Sequence, residues 1–576
     1  MTHLHDDPSA FAATALAGYC DVFAQFVRAV PDGVVRSTAT PDGKVALVIG
    51  GGSGHYPAFA GYVGPGLADA AVAGDVFASP STRAIRDIGV RAHRGGGILL
   101  GFGNYAGDVL NFGLAAERLR GDGIDVRVLA VSDDVASASA AEHERRRGVA
   151  GDLAVFKIAG AAAEAGKSLD EVERLARLAN ARTRSFGVAF GGCTLPGAKA
   201  PLFSVPDGRM AIGLGIHGEP GIDELPIMPA ADLAALLVDR LLSEAPHGSA
   251  TGGGSRVAAI LNGLGSTKYE ELFVLWAAVG ARLRDAGLVV VAPEVGEFVT
   301  SLDMEGCSLT LTWLDDELEA CWLAPCATAV LRRGATIEAE PAPVANETLA
   351  AAESWPQAGP EGHAGGRCIA GVMAHLADIL RDAEPELGRI DAQAGDGDHG
   401  QGMARGSAAA AAAAKAASAA GAGASSVLAA AADAWADRAG GTSGAIWGVG
   451  LRSWSQSLSD DAAIDAKRLA AGALAALAGV TRLGGAKPGD KTLVDALDPF
   501  ARALEAAVSK GASLREAWMA AAEAATEAAK RTADLVPRLG RARPLAERSK
   551  GHPDAGAVSL AMAARAVLDR LPEDDG

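Results

Sequence analysis

Aromatic residues make up only 5% of this 576-residue chain, and its 52 lysines and arginines fall well short of its 70 aspartates and glutamates. The formal charge of −18 excludes a nucleic acid or an anionic membrane as the main partner, because phosphate backbones reward a basic face. Any phosphate bound here has to be handled locally, by a metal ion, backbone N–H groups or a few cations. Cysteine is scarce too: Cys20, Cys193, Cys307, Cys321, Cys326 and Cys368 form no C-x-x-C pair and no zinc-type spacing. They read as reduced thiols of a cytoplasmic protein. The opening MTHLHDDPSA lacks a basic n-region and an apolar h-region, so no secretory signal is expected. Long apolar runs are missing as well. The least polar stretch, 407–432, is mostly alanine and carries Lys415. Alanine favours helix but buries little area, so a closely packed helix is expected there rather than a membrane span.

What is present divides near the middle. The length allows two to four domains. Up to about Gly334, short β-branched runs such as VALVIG (45–50), RVLAVS (127–132), VAAIL (257–261) and LVVVAP (288–293) alternate with helical patterns. This is the pattern of an α/β domain with mostly parallel, buried sheets and flanking helices. Between Pro341 and Gly366 stand Pro341, Pro343, Pro356 and Pro360 among small and polar residues, the composition of a linker. Beyond it strand patterns vanish, and Ala-rich amphipathic segments separated by glycine loops predict an all-helical domain. The expected boundaries are 1–335, 336–366 for the linker, and 367–576.

In the second half, IDAQAGDGDHGQGMARG places Asp391, Asp396 and Asp398 within eight residues. On one helix the three could not share a face, but Gly395 and Gly397 let the chain bend so that they converge. Carboxylate-only clusters suit Mg²⁺, which keeps several waters and takes further ligands from substrate phosphates. An EF-hand is excluded, because the twelfth position from Asp391 is Gly402 and the fifth from Asp396 is Gly400. A solvated acidic loop with capping aspartates is the other reading of the same residues.

In the first half, VALVIGGGSGHYP runs from a buried strand into Gly50, Gly51, Gly52 and Gly54 and closes on His55. It is neither a dinucleotide fingerprint nor a Walker A loop. A glycine turn after a strand either serves only as a tight turn or presents N–H groups at the carboxyl edge of a sheet. GILLGFGNYAGDVLNF (97–112) repeats the layout, its turn at Gly101 to Gly107 leading to Asp108, which is a base or simply the N-cap of a helix starting at Val109. AIGLGIHGEPG (211–221) sets His217 between Gly215 and Gly218. Two histidines and an aspartate at loosened strand ends form an acid–base and nucleophile set.

The strings GGGSGHYP, GNYAGDVLNF and GIHGEPG, and then GDGDHG, GGTSGAIWG, GAKPGDKTLVDAL and ERSKGHPDAGA, resemble the dihydroxyacetone kinase family across nearly the whole chain and in family order. Having both domains in one polypeptide is similar to the ATP-dependent members. The resemblance implies an α/β ketose-binding domain followed by a helical-barrel domain that binds ATP and two Mg²⁺ ions. By the same resemblance His217 holds the substrate carbonyl covalently as a hemiaminal. Asp108 takes the proton of the attacking hydroxyl with help from His55, and Gly52, Ser53, Gly54, Tyr56 and Gly103 line the sugar. Asp391, Asp396 and Asp398 match the metal ligands, and His399, Gly400, Gln401, Gly402, Thr442, Ser443, Gly484, Leu493, Arg541, Asp554 and Gly556 match positions around the nucleotide. A homodimer is implied, with the nucleotide domain of one chain facing the substrate domain of the other.

The departures carry information. The family's KNYTGD reads GNYAGD here, so Gly103 replaces a lysine that contacts substrate. Tyr56 stands for the usual glutamate, Phe59 for a common histidine, and Ala555 for the proline of D-P-G. A lost lysine opens volume, which favours a ketose larger than dihydroxyacetone; a tetrulose such as erythrulose is expected. Two other readings remain: a sugar-sensing regulator of the same fold, and metal-dependent cyclisation of a flavin dinucleotide by the second domain alone.

Overall fold

A computed structural model describes residues 2–219, 221–246, 254–334, 355–393, 395, 397–539 and 549–571. The chain divides into two compact units, Met1–Val344 and Ala345–Gly576. Most of the expected linker, 336–354, lies outside the described residues. Its last part differs from expectation, because a helix already starts at Pro360. The reason is local: proline with its fixed φ suits the first turn of a helix, where its missing N–H costs nothing.

In the first unit, strands β1 (Val27–Val30), β2 (Gly33–Arg36), β3 (Ala46–Ser53), β4 (Ala70–Val76), β5 (Ile98–Gly103) and β6 (Val126–Val131) form one sheet in the order β1-β2-β4-β3-β5-β6. β4, β3, β5 and β6 run parallel. Helix α1 (Phe11–Val22) precedes the sheet, and helices α2 (Thr82–Ala92) and α3 (Ala106–Gly121) cover one face through Ile85, Ile88, Phe112 and Leu119. On the other face lies α4 (Gly151–Glu164), mostly apolar and buried along nearly its whole length, Asp152 and Lys157 included, with α5 (Leu169–Ala181) beside it. Such a helix is stable only when covered on every side.

The second sheet contains β7 (Thr183–Ala189), β8 (Arg209–Ile212), β9 (Asp223–Pro226), β10 (Arg256–Gly263), β11 (Val289–Val290), β12 (Glu294–Gly296) and β13 (Gly306–Leu314). Its order is β11-β10-β13-β7-β8-β9, with β12 also on β10. Here the expectation of mostly parallel sheets is corrected, since β10-β13, β13-β7, β7-β8 and β8-β9 are all antiparallel. The physical cause is legible in β13, GCSLTLTWL. Ser308, Thr310 and Thr312 alternate with Leu309, Leu311 and Trp313, the period of an antiparallel strand whose two faces differ. The hydroxyls of Thr310 and Thr312 pair with Ser185 and Thr183 across the sheet. The leucines and Trp313 pack on α6 (Ala230–Ser243) and α7 (Tyr269–Asp285), and α8 (Asp316–Leu323) follows β13.

The second unit is helical throughout its described residues: α9 (Pro360–Asp382), α10 (Glu384–Asp391), α11 (His399–Ala419), α12 (Ala424–Ala439), α13 (Gly441–Ser455), α14 (Ala466–Gly484), α15 (Val494–Ser509), α16 (Leu514–Arg531) and α17 (Ala555–Leu568). Each long helix packs on the next, and α17 returns to α9, so the ring closes. The single helix expected over 407–432 is two, broken by a turn in which Gly421 has φ +91°. A positive φ of this kind costs glycine nothing, and it reverses the chain. Alanine suits this packing: small side chains let α11 and α12 approach closely, and Trp435 fills the interior.

Candidate active site

β3 ends at Ser53, and Gly54, with φ +98°, turns the chain so that His55 points inward, 2% exposed. A side chain at Gly52 would meet the Ala78 nitrogen at 2.7 Å, so only glycine lets this loop lie against the neighbouring segment. Two strained residues wall the histidine: Phe77 and Leu302 both have positive φ, which is costly for side chains of this size. The Phe77 ring stacks on the imidazole at 4.9 Å.

Residues 300–302 fasten the two histidine loops to one another. The Thr300 carbonyl accepts a hydrogen bond from His55 Nδ1 at 2.8 Å, and the Ser301 hydroxyl donates to the Ile216 carbonyl. His217 thereby meets His55, Nε2 to Nε2, at 3.0 Å. On its other side His217 Nδ1 lies 3.2 Å from Glu219 Oε1, while Glu219 Oε2 accepts the His217 backbone N–H at 2.9 Å. Behind Glu219 stands Arg147, 3.9 Å away and paired with Asp134 at 2.7 Å. Gly215 is required by this contact, since a Cβ there would fall 2.1 Å from Glu219 Oε2.

The donors and acceptors assign the protons. A carbonyl can only accept, so His55 carries its proton on Nδ1 and turns a lone pair toward His217. Burial, then the neighbouring His217, lowers the His55 pKa to about 3, which keeps this ring neutral. Burial opposes ionisation of Glu219, but His217 and Arg147 outweigh it and hold the carboxyl well below its usual range. With Glu219 a carboxylate and His55 Nε2 an acceptor, His217 has a donor's place at both nitrogens.

Asp108 lies in the first turn of α3, which starts at Ala106. It is therefore inside the helix rather than its N-cap, and it is buried. Tyr105, which caps α3, sets its ring edge-on to His217 at 4.5 Å, so the start of α3 and the His217 loop share one place. Tyr56 is exposed. A cavity of about 420 Å³ opens on the far side of the glycine loop. Gly52, Ser53, Gly54 and Tyr56 line it, together with residues of the helix Phe11–Val22, but His55, His217 and Asp108 do not. The sequence reading missed Glu219, Arg147 and the 300–302 segment. Glu219 was within reach, two residues past His217 in GIHGEPG, whereas residues 300–302 carry no motif.

In the second unit, Asp391 ends α10 and Asp398 precedes α11. Asp391 Oδ2 accepts the Gly397 N–H at 2.9 Å and that of His399 at 3.4 Å, which folds the loop around it. Asp396 and Arg541 lie outside the described residues. Among the described residues no three potential ligands surround a metal position. The donor set nonetheless fits a hard cation. Loss of hydration and then the nearby Asp391 push the Asp398 carboxyl up to about 6, although the residue reaches solvent. Burial, with Asp495 and Asp391, pushes Asp554 to about 7. Oxygen-only acids crowded in this way favour a cation among them.

Around them the starts of alternate helices meet. His399 of α11 bonds Ser559 of α17 at 2.9 Å and Ser443 of α13 at 3.4 Å. Asp554 caps α17 through the Ala557 N–H at 2.7 Å, and a Cβ on Gly556 would touch Leu493, the N-cap of α15. Helix N-termini carry partial positive charge and free N–H groups, which is what phosphates bind. Gly400 and Gly402 lie in the first turn of α11, with Gln401 exposed between them, and Thr442 opens α13. Gly484 ends α14, and no described contact ties it to this group. Asp495, missed by the sequence reading, fixes the loop before α15 by accepting the Thr492 N–H at 2.7 Å.

Comparison with known proteins agrees with this division. A Dak1 domain profile matches residues 17–330 and a DAK2 domain profile matches residues 393–569. The chain is 55% identical to an L-erythrulose kinase of Pectobacterium atrosepticum, covering 100% of this chain and 97% of that one. To a D-erythrulose kinase of Mycolicibacterium smegmatis it is 54% identical, over 99% and 98%. It is also similar to the crystal structure of the dihydroxyacetone kinase from C. freundii in complex with AMP-PNP and Mg²⁺, with a TM-score of 0.53, 30% identity and 99% of each chain covered. No described helix is long and apolar enough to cross a membrane.

Proposed function

The chain belongs to the dihydroxyacetone kinase family and is a phosphotransferase acting on an alcohol; from that premise we propose that it phosphorylates a short-chain ketose of the erythrulose type, using ATP. The observation that carries the substrate class is the imidazole of His217, backed by Glu219 and facing His55 across 3.0 Å. A ketose carbonyl entering between the histidines takes the Nε2 proton of His217 onto its oxygen while Nε2 bonds to the carbonyl carbon. The π bond opens, and a hemiaminal forms beside Glu219. A polyol such as glycerol has no carbonyl and cannot be held in this way. Tethering lowers the entropy of a small substrate that offers few groups to grip.

Asp108 then accepts the proton of the hydroxyl that attacks the terminal phosphorus of ATP, a role typically worth ~10²–10⁴-fold in rate. His55 is neutral and orders the capture site instead of supplying a proton. In the helical unit Asp391, Asp396 and Asp398 would hold two Mg²⁺ ions. Bound there, such ions neutralise charge on phosphate oxygens and align the transfer. His399, Gly400, Gln401, Gly402, Thr442, Ser443, Gly484, Leu493, Arg541, Asp554 and Gly556 surround the nucleotide in this reading.

The test is ADP release with dihydroxyacetone, glyceraldehyde, D- and L-erythrulose and glycerol, by the parent and by His217→Ala. Erythruloses should be the best substrates and glycerol inert, and the variant should lose ketose turnover. Turnover by the variant at the parental rate would remove covalent capture. Absence of turnover with every ketose would leave the regulator. Cyclisation of a flavin dinucleotide that survives in His217→Ala would assign that activity to the helical unit. We also propose a homodimer with each substrate site served by the partner's nucleotide unit. Mixing His217→Ala and Asp391→Asn chains after partial denaturation would then restore activity, whereas sites built within single chains would stay dead.

A further inference from the structure

The capturing imidazole is held by polar contacts at its two nitrogens: His55 Nε2 lies 3.0 Å from Nε2, and Glu219 Oε1 lies 3.2 Å from Nδ1. Contacts at two ring atoms fix a line through the ring and leave its tilt about that line to the side-chain torsions and to packing. The tilt matters chemically. The bonding orbital of an imidazole nitrogen lies in the ring plane, so that plane decides from which direction Nε2 can meet a carbonyl carbon.

The packing here is aromatic. The rings of Phe77 and Tyr105 stand at 87° and 84° to the His217 imidazole, with centres 5.3 and 4.5 Å away. Each is held in place by its own surroundings. Phe77 keeps φ +55°, a conformation that is costly for a large side chain and persists only where the surroundings impose it. Its N–H donates to the Ser53 carbonyl at 2.9 Å, and a Cβ on Gly54 would come within 2.8 Å of its ring, so the glycine before His55 leaves the ring its room. Tyr105 follows Asn104, whose side-chain amide donates to the carbonyls of Glu144 and Arg146 at 2.9 and 2.7 Å. The Tyr105 N–H donates to the Gly103 carbonyl at 2.8 Å. Its hydroxyl is buried and meets no acceptor among the described residues, so what this side chain offers His217 is its ring.

We propose that Phe77 and Tyr105 are positioning residues of ketose capture: their rings set the tilt of the His217 imidazole and with it the approach of Nε2 to the carbonyl carbon. This rests on the ketose reading of the site. Neither ring has to touch the reacting atoms. A perpendicular ring contact is favourable in itself, because the edge of one ring is positive and the face of the other negative, so it resists rotation of either ring. An aliphatic side chain in place of either ring removes that resistance and leaves His55 and Glu219 free to make the same contacts with a tilted imidazole. The strained backbone of Phe77 then has a reason, since its ring also stacks on His55 and so meets both histidines.

The test uses the full chain carrying Tyr105→Leu, Tyr105→Phe or Phe77→Leu, each checked for parental melting. Two quantities are read: kcat/KM for the erythruloses and, without ATP, the ¹³C signal of a ketose labelled at its carbonyl carbon, which leaves the carbonyl region when the hemiaminal forms. Tyr105→Leu should lower kcat/KM by about ten- to hundredfold, weaken the adduct signal and leave the KM for MgATP unchanged. Tyr105→Phe, which keeps the ring, should recover most of the loss. Phe77→Leu should behave like Tyr105→Leu, and it decides the matter if that variant does not fold. Parental adduct and turnover in the folded leucine variants overturn the assignment, as does a Tyr105→Phe chain that loses as much as Tyr105→Leu. A KM for MgATP that rises in step with the ketose loss marks a structural role and overturns it too. A parent that gives neither adduct nor turnover with any ketose overturns the ketose reading itself and this inference with it.

Discussion

The two units prepare their sites by opposite electrostatic means. In the α/β unit the groups complement each other: a neutral imidazole, a second imidazole with donor places on both sides, a carboxylate and an arginine follow in sequence. In the helical unit Asp391, Asp398, Asp495 and Asp554 crowd together, and two of them are driven up toward neutrality. In the first the charges answer one another, whereas in the second the acids outweigh the cations that act on them, Arg405 and Lys491. In the proposed function the first pocket holds its geometry before a small substrate arrives, whereas the second leaves its charge balance to a cation that comes with the phosphates.

The change that strikes hardest at this contrast is Asp391→Asn. It should cut ketose phosphorylation by roughly 10²–10³-fold by weakening the proposed metal clamp, while raising the melting temperature of the metal-free chain because a repulsion is gone. A fall in both activity and melting temperature would mean that Asp391 is chiefly structural, through Gly397 and His399. Glu219→Gln should lower kcat/KM for ketoses by about ten- to hundredfold and leave the KM for MgATP unchanged. A shift confined to MgATP would disconnect Glu219 from capture.

The pH response should have opposite signs in the two units. His55 has a folded pKa of about 3 against 6.5 for the free side chain, so the unfolded chain binds more protons between these values. The α/β unit therefore loses stability as pH falls through that window. Asp554 is raised from 3.8 to about 7, so the folded helical unit holds more protons and the metal-free unit loses stability as pH rises from about 4 to 7. Hydrogen exchange of the metal-free chain at pH 5 and pH 8, corrected for intrinsic rates, should show protection moving in opposite directions, and Mg²⁺ should abolish the loss at pH 8. Parallel movement in both units would defeat the comparison. The mildest change is Ser443→Ala, expected to raise the KM for MgATP only a few-fold through the lost 3.4 Å contact with His399, with ketose KM constant.

Much of this was legible in the residues. The division into a sheet half and a helical half followed from β-branched runs giving way to alanine. The strand-to-glycine junction placed His55 just past β3, whereas Asp108, expected at a strand end, lies in the first turn of α3. The second sheet was misjudged because its antiparallel strands carry serine and threonine inside, where pairing of hydroxyls across β7 and β13 replaces an apolar run. Glu219, Arg147 and the 300–302 segment escaped notice for a related reason: each matters through what it meets far along the chain, and no local spacing encodes such a meeting.

The closure of the helical ring through α17 against α9 has a consequence for how that unit comes apart. A row of helices can fray from its ends, but a closed circuit has none, so losing the last helix would expose both neighbours at once and the unit should melt in one step. The same closure brings its first and last helices side by side. New termini cut at an exposed turn such as the one at Gly421, with the old ones bridged, should still yield a folded unit.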